Sequence, residues 1–107
     1  MTIQSKDWHA QNDRMPSTEG PRFRVRGTVT VDSPSFTPVL TMAQIQDKST
    51  GINLELKFEQ EEGIFLAVVT EKQVAFEMPG VDYTIPWVHV FHEGKLLYTI
   101  KDIATTY

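Results

Sequence analysis

Phe23-Arg24-Val25-Arg26-Gly27-Thr28-Val29-Thr30-Val31 is the stretch of the chain that decides its fold class. Every second residue is apolar or glycine, and each residue between them is arginine or threonine. Because successive side chains of a β-strand point to opposite faces, the alternation predicts a strand with one buried and one solvated face. The same period returns in Ile52-Asn53-Leu54-Glu55-Leu56-Lys57-Phe58-Glu59. The two stretches together indicate a β-sheet protein.

Turn-forming residues divide the rest of the chain into short segments with strand character. Asp and Ser bond neighbouring backbone groups, Pro presets φ and Gly tolerates positive φ, so clusters of these residues mark turns. They predict strands over residues 22–31, 37–46, 52–59, 65–70, 73–78, 83–92 and 95–101. Glu71-Lys72 separates the fourth strand from the fifth. Residues 40–47 also contain good helix formers, so the choice between strand and helix stays open there.

Short strands without helical periodicity predict an all-β fold, a two-sheet antiparallel β-sandwich of about seven strands. An immunoglobulin-like topology is favoured, and a small β-barrel is second. The expected core consists of apolar residues from most of the predicted strands: Val25, Val29, Leu54, Leu56, Phe58, Leu66, Val68, Phe76, Ile85, Trp87, Phe91 and Leu96.

Residues 83–101 form the clearest predicted hairpin, with Glu93-Gly94 as its two-residue turn. The expected register places three pairs on one face: Phe91 with Leu96, His89 with Tyr98, and Trp87 with Ile100. Apolar residues also fall on the opposite face. We therefore expect a cover for the second face, either the N-terminal segment or a second copy of the chain.

Residues 1–21 differ from the rest because they are polar and show almost no apolar periodicity. We expect them to form a loosely ordered N-terminal arm, and residues 22–107 to form a single β-sandwich domain. Trp8 is the exception within the arm. It either docks on the domain's own core or sheet edge, or it anchors a partner, since tryptophan is enriched at interaction hot spots.

The composition excludes several classes of function. The chain has no cysteine, which rules out disulfides, thiol nucleophiles and cysteine-ligated metals. Residues 1–9 lack the apolar core of a signal peptide, and no apolar run is long enough to cross a bilayer. We therefore expect a soluble, cytoplasmic protein without membrane contact. The net charge of −4 argues against nucleic acid as a partner, because phosphate contact favours a basic surface.

Arg22, Arg24 and Arg26 point to one face of the first predicted strand. Such a row can bind an acidic partner, or it can form ordinary cross-strand ion pairs with Glu55 and Glu59 on a neighbouring strand. We favour the cross-strand pairing.

No reactive centre is evident in the sequence. His89 and His92 are three residues apart, so strand geometry places their rings on opposite faces and prevents them from sharing a metal ion. Glycine-rich phosphate loops and the G-x-S-x-G nucleophile motif are absent. We therefore predict no catalytic residues, no metal and no cofactor, and an enzyme is the less favoured interpretation.

The sequence thus favours a non-catalytic binding or interaction module. Its expected partner is a protein, including a second copy of the chain in a homodimer. The alternative is a small-ligand-binding protein or small enzyme that uses a sheet-face pocket around Trp87, His89 and Tyr98. These three side chains, Trp8 and the arginine row are the candidate contacts for a partner or ligand.

Several motifs of the first half carry a resemblance: Trp8, Met15-Pro16, Pro21-Arg22-Phe23-Arg24-Val25 leading into Gly27-Thr28-Val29, Pro34-Ser35-Phe36 and Gly51-Ile52-Asn53. Over about residues 8–56 the chain resembles a family of small, functionally uncharacterised bacterial all-β proteins. It departs from the pattern at Ser35-Phe36, where Gly-Tyr is expected, and at Leu54, where Pro is expected. The resemblance implies a bacterial origin and implies that residues 8–36 belong to the domain, but it carries no activity.

Overall fold

A computed structural model describes residues 4–14, 20–44, 51–63, 67–80 and 85–106 of the chain. Within these ranges the backbone forms strands and no helix, so no helix there is long and apolar enough to cross a membrane. The strands are β1 (Ser5–Asp13), β2 (Arg22–Val31), β3 (Phe36–Met42), β4 (Ile52–Gln60), β5 (Thr70–Pro79), β6 (Val88–His92), β7 (Lys95–Ile100) and β8 (Ile103–Thr106).

The strands form two four-stranded sheets that pack against each other. The first sheet has the order β5-β2-β1-β8 and the second the order β3-β4-β6-β7. The predicted all-β, two-sheet sandwich is confirmed. As in immunoglobulin domains, β2 lies beside β5 and β6 beside β7. The differences are that β4 stands between β3 and β6, and that the β1–β8 and β4–β6 pairs are parallel.

The core lies between the sheets and is built mainly from the alternating stretches that form β2 and β4. In β2 the buried side is formed by Phe23, Val25, Val29 and Val31. In β4 the buried apolar residues are Ile52, Leu54 and Leu56. Fully burying such a side chain contributes on the order of 1.5–3 kcal/mol. The two stretches therefore supply the centre of both sheets.

The predicted N-terminal arm is wrong over residues 5–13, which form β1. This strand pairs with β2 on one side and with β8 on the other. Its inward positions include Ala10, which is small, and Asn12, which is polar, and both are buried. Since neither residue gives an apolar signal, the hydrophobic pattern is weak although the strand lies inside a sheet.

β5 also differs from the prediction, because it runs without a break through Glu71-Lys72. It pairs with β2 along its whole length, so backbone hydrogen bonds hold these charged residues in the strand. The strand predicted over residues 65–70 is not formed at residues 67–69, and residues 64–66 lie outside the described part of the chain. Val68, expected in the core, is 52% exposed.

The open question over residues 40–47 is settled for part of that segment. β3 ends at Met42, so residues 40–42 are strand. Residues 43 and 44 belong to no element, and residues 45–47 lie outside the described ranges.

Pro38 protects the open edge of the second sheet, as expected of a proline in an edge strand. Hydrogen bonds to β4 alternate along an antiparallel ladder and include Ala43 N–H to Asn53 O at 3.0 Å. Pro38 occupies the other set of positions, so its nitrogen faces away from β4. The ladder loses no hydrogen bond, and an incoming strand would find no donor there.

The turn of the predicted hairpin is confirmed. Glu93 and Gly94 connect β6 to β7 with φ values of 51° and 80°. Two successive positive φ values match the type I′ turn that two-residue hairpin loops favour. Phe91 lies opposite Leu96, as the sequence predicted.

The register beyond that pair differs from the prediction, because the ladder shifts by one residue. Leu97 has no counterpart in β6, so His89 faces Thr99 and Val90 faces Tyr98. This β-bulge places Tyr98 and Ile100 on the face opposite Leu96, although all three were expected on one face. Val88, Val90 and Ile100 line the core, whereas Leu96, expected in the core, is 55% exposed.

Candidate functional site

Trp8 lies between the two sheets because β1 is irregular at this point. The pairing of β1 with β2 shifts between Lys6 and His9, and Asp7 has a φ of 56°. The indole packs against the core and covers Gly27, while its Nε1–H donates to Ser5 Oγ at 2.9 Å. Of the two roles considered for Trp8, the structure therefore shows docking on the domain's own core.

Tyr98 meets Trp8 from the second sheet. The two rings stack with centroids 6.2 Å apart and planes inclined by 21°. The bulge at Leu97 is what turns Tyr98 to this side of β7, opposite the core residue Val90. One irregular strand in each sheet thus directs an aromatic ring to the same place.

A groove of about 500 Å³ opens beside this aromatic stack. Its lining comes from the start of β1 and from β2, β5 and β7, through Gln4, Ser5, Lys6, Thr30, Glu71, Leu97 and Tyr98. Both bulges border it, since Lys6 precedes the first and Leu97 forms the second. Groove volumes of this size suit small molecules or short peptide segments.

The groove has one charged pair at its mouth. Lys6 Nζ lies 2.9 Å from Glu71 Oε1, and more than half of each side chain is exposed. The hydrogen bond to Glu71 and the charge of that carboxylate raise the pKa of Lys6. Because exposed ion pairs are weak, a ligand can compete for either partner.

The groove carries hydroxyl groups from Ser5, Thr30 and Tyr98. Its hydroxyl groups have no histidine beside them in the lining, and Ser5 Oγ already accepts a hydrogen bond from the indole of Trp8. Nucleophilic catalysis needs a base next to the hydroxyl. Elsewhere in the described ranges, no three side chains of the metal-ligating kinds come together.

The predicted pocket around Trp87, His89 and Tyr98 does not form. His89 Nδ1 lies 2.9 Å from Thr99 Oγ1, on the outer face of the second sheet. Trp87 stacks on His89 on that same face, with ring centroids 4.0 Å apart. Tyr98 points to the opposite side, because the bulge at Leu97 reverses its face. Trp87 and His89 are therefore brought together, but Tyr98 belongs to the groove.

Trp87 is further fixed by Gly51, whose position it covers. A Cβ on Gly51 would lie 2.2 Å from Cε2 of the indole. His92 is half-buried, with Nδ1 2.9 Å from Leu56 O and its ring nearly perpendicular to that of Phe58.

The arginine row lies on the outer face of the first sheet and forms cross-strand ion pairs, but not with the predicted partners. Arg22 Nε lies 2.7 Å from Glu77 Oε1, and Arg24 Nη1 lies 2.6 Å from Asp13 Oδ2. Glu55 and Glu59, expected as partners, are in β4 of the second sheet.

Arg22 also affects the protonation of its partner, because its hydrogen bond lowers the pKa of Glu77. Arg26 is exposed opposite His9 and Ala75. In the described part of the chain, no acidic side chain forms an ion pair with Arg26.

Comparisons of the chain with protein-family models, with curated proteins and with solved structures find no match. The resemblance to a family of bacterial proteins therefore stays a prediction.

Sequence reasoning identified Tyr98, which lines the groove, and Trp8, which stacks on it, but not the other lining residues. Two signals point to it in retrospect. Leu96-Leu97 breaks the alternation of the hairpin, which is what an inserted bulge residue does to the period. Trp8 is a large aromatic residue in a polar segment, so it needs a partner on another strand.

Proposed function

We propose that this protein is a non-catalytic binding module whose ligand occupies the groove beside Trp8 and Tyr98. The observation that carries the proposal is the convergence of two β-bulges, one from each sheet, on a single open groove. Bulges are enriched beside functional sites, where they redirect side chains.

The irregularity of β1 has an energetic cost that the fold alone does not require. A left-handed backbone conformation costs a residue with a side chain roughly 1–2 kcal/mol, although aspartate tolerates it better than most. Asp7 adopts such a conformation at the point where Trp8 turns inward. A regular strand would pair with β2 without this cost, but it would not place the ring of Trp8 in the stack with Tyr98. Support for the proposal comes from this link between strain and the placement of the stack.

The ligand is best sought among proteins and peptides. The lining offers neutral polar groups from Gln4, Ser5 and Thr30, an apolar surface from Leu97 and Tyr98, and charges of both signs. This mixture suits a polypeptide segment, which carries amides and alternating side chains.

Amide chemical shifts of the isotopically labelled protein test the proposal. Amino acids and short peptides, sugars, and nucleotides are added as separate mixtures, and perturbed amides are mapped. We expect one class to perturb Lys6, Thr30, Glu71 and Leu97, and Tyr98→Ala to abolish the response. Leu96→Ala, on the exposed outer face of the same strand, is the matched control and should leave it unchanged.

Two other outcomes would change the interpretation. Perturbations centred on Trp87 and His89 would favour the alternative, a small-ligand site on the outer face of the second sheet. The absence of any response at the groove would remove the proposal. Light scattering on the same samples reports whether the partner is a second copy of the chain.

A further inference from the structure

We infer that the groove accepts an extended peptide segment of about five residues, which adds as a strand beside Ser5–His9 of β1. The inference rests on the proposed function and specifies its ligand.

β8 is too short to cover its neighbour. β1 has 9 residues, but β8 has 4 and pairs only with Ala10–Asp13. In the described part of the chain, no strand lies beside Ser5–His9 on that side. Among the described residues, the outermost row of the first sheet therefore has a gap beside the start of β1, which lines the same groove as Leu97 and Tyr98 of the second sheet.

The backbone of Ser5 is directed into this gap. Thr30 N–H donates to Gln4 O at 2.9 Å, so Gln4 turns its backbone groups toward β2. Because hydrogen-bonding direction alternates along a strand, the N–H and C=O of Ser5 face the opposite side. An open strand edge of this kind is a template for pairing with an added strand.

The side chains around the gap define the sequence that fits. An added strand would direct alternate side chains inward onto Leu97 and Tyr98, and Tyr98 still exposes 47% of its surface. The others would lie outside, where Asp7 is exposed and where the charge of Lys6 is already met by Glu71. The complementary segment therefore carries apolar residues inward and lysine or arginine outward.

The gap limits the length of the occupant. β8 fills the same row from Ile103 onward, so a longer strand would collide with it. The row accepts a chain end or an exposed loop of another polypeptide, rather than the central strand of a second folded copy.

A capped peptide with the sequence Val-Lys-Val-Lys-Val is the probe for this inference. We expect it to perturb the groove amides and to slow hydrogen exchange of the Ser5 amide about tenfold near saturation, as a new backbone hydrogen bond would. The matched control is the same peptide with N-methyl groups in place of the backbone N–H groups that would face β1 and donate to it. Loss of those donors should weaken binding about tenfold, which corresponds to roughly 1.4 kcal/mol.

Tyr98→Ala should also weaken the peptide, whereas Leu96→Ala should not, and unfolding curves of both variants establish that they are folded. Equal binding of the methylated peptide would overturn strand addition. Binding of sugars or nucleotides at the groove without peptide binding would overturn the inference but leave the proposed function intact. No binding of any class would overturn both. A dimer in which the Ser5 amide is already protected would identify a second copy as the occupant instead.

Discussion

The indole of Trp8 fills the space that a side chain at Gly27 would need. A Cβ on Gly27 would lie 2.4 Å from Cε3 of Trp8, well inside van der Waals contact. Gly27 is in the middle of β2, where glycine is otherwise unfavourable, so the close approach of the ring explains the glycine.

Gly27→Ala should therefore lower the free energy of unfolding by about 1–3 kcal/mol, since the added methyl group overpacks the site. Urea unfolding measures the change. Thr28→Ala, one residue further on the outer face, should change it by less than about 0.5 kcal/mol. The double variant Trp8→Leu/Gly27→Ala should lose less stability than the sum of the two single variants, because the smaller leucine leaves room for the added methyl group. An alanine variant as stable as the natural protein would contradict the packing described.

Two leucines that the sequence places in the core differ in burial, and one pair of variants tests this difference. Leu56→Ala removes a side chain that is 1% exposed and should cost about 2–5 kcal/mol. The same change at Leu96, which is 55% exposed, should cost under about 0.5 kcal/mol. Equal losses in chemical unfolding would show that Leu96 is buried in the core, as the sequence predicted.

β1 provides a third test, because a loose arm and an internal strand respond differently to removal. β1 lies between β2 and β8 in the first sheet. A chain that lacks residues 4–13 should therefore lose its cooperative thermal transition. A melting temperature close to that of the full chain would show that the segment is dispensable.

The turn of the hairpin allows a stabilising change. Glu93 has a φ of 51°, a conformation that asparagine adopts more readily than glutamate. Glu93→Asn should raise the free energy of unfolding by on the order of 0.5–1 kcal/mol. Glu93→Val, a β-branched residue at the same position, should lower it. A thermal melt of each variant is sufficient, and the reverse order would rule out this turn geometry.

Glu77 makes stability depend on pH in a defined direction. Its pKa is lowered from the ordinary value of 4.5, chiefly by the hydrogen bond from Arg22. The folded state therefore favours the carboxylate, and this stabilisation is present above pH 4.5 and is lost as the pH falls through the lowered pKa. Glu77→Gln should be less stable than the natural protein at pH 7, and the difference should shrink as the pH falls below 4.5. Glu61→Gln is the control in an exposed turn, and a difference that grows in acid would contradict the assignment.

The sequence predicts the fold class because two strands carry strong alternation. Phe23–Val31 and Ile52–Phe58 each have a fully apolar inner face, so their period cannot be mistaken. β1 escapes prediction because its inner positions, Ala10 and Asn12, are weakly apolar or polar. Tertiary burial of such residues leaves no mark on a hydrophobic pattern.

The candidate site depends on register, which a period alone does not specify. A shift of one residue moves every later side chain of a strand to the other face. Leu97 causes such a shift, and it separates Tyr98 from His89 and brings it to Trp8. The cross-strand pairing expected within one hairpin therefore could not have identified the groove, because its lining comes from four strands that are distant in sequence.

The pairing of β1 with β8 has a mechanical consequence. These strands are the first and last of the described chain, they lie side by side, and they run in the same direction. Tension between Gln4 and Thr106 would pull them past each other along their axes. The ladder from Ala10 to Asp13 would then carry the load in shear, with its hydrogen bonds stretched together rather than opened in succession. The shortest strand of the sandwich thus acts as its clamp against force applied at the two ends.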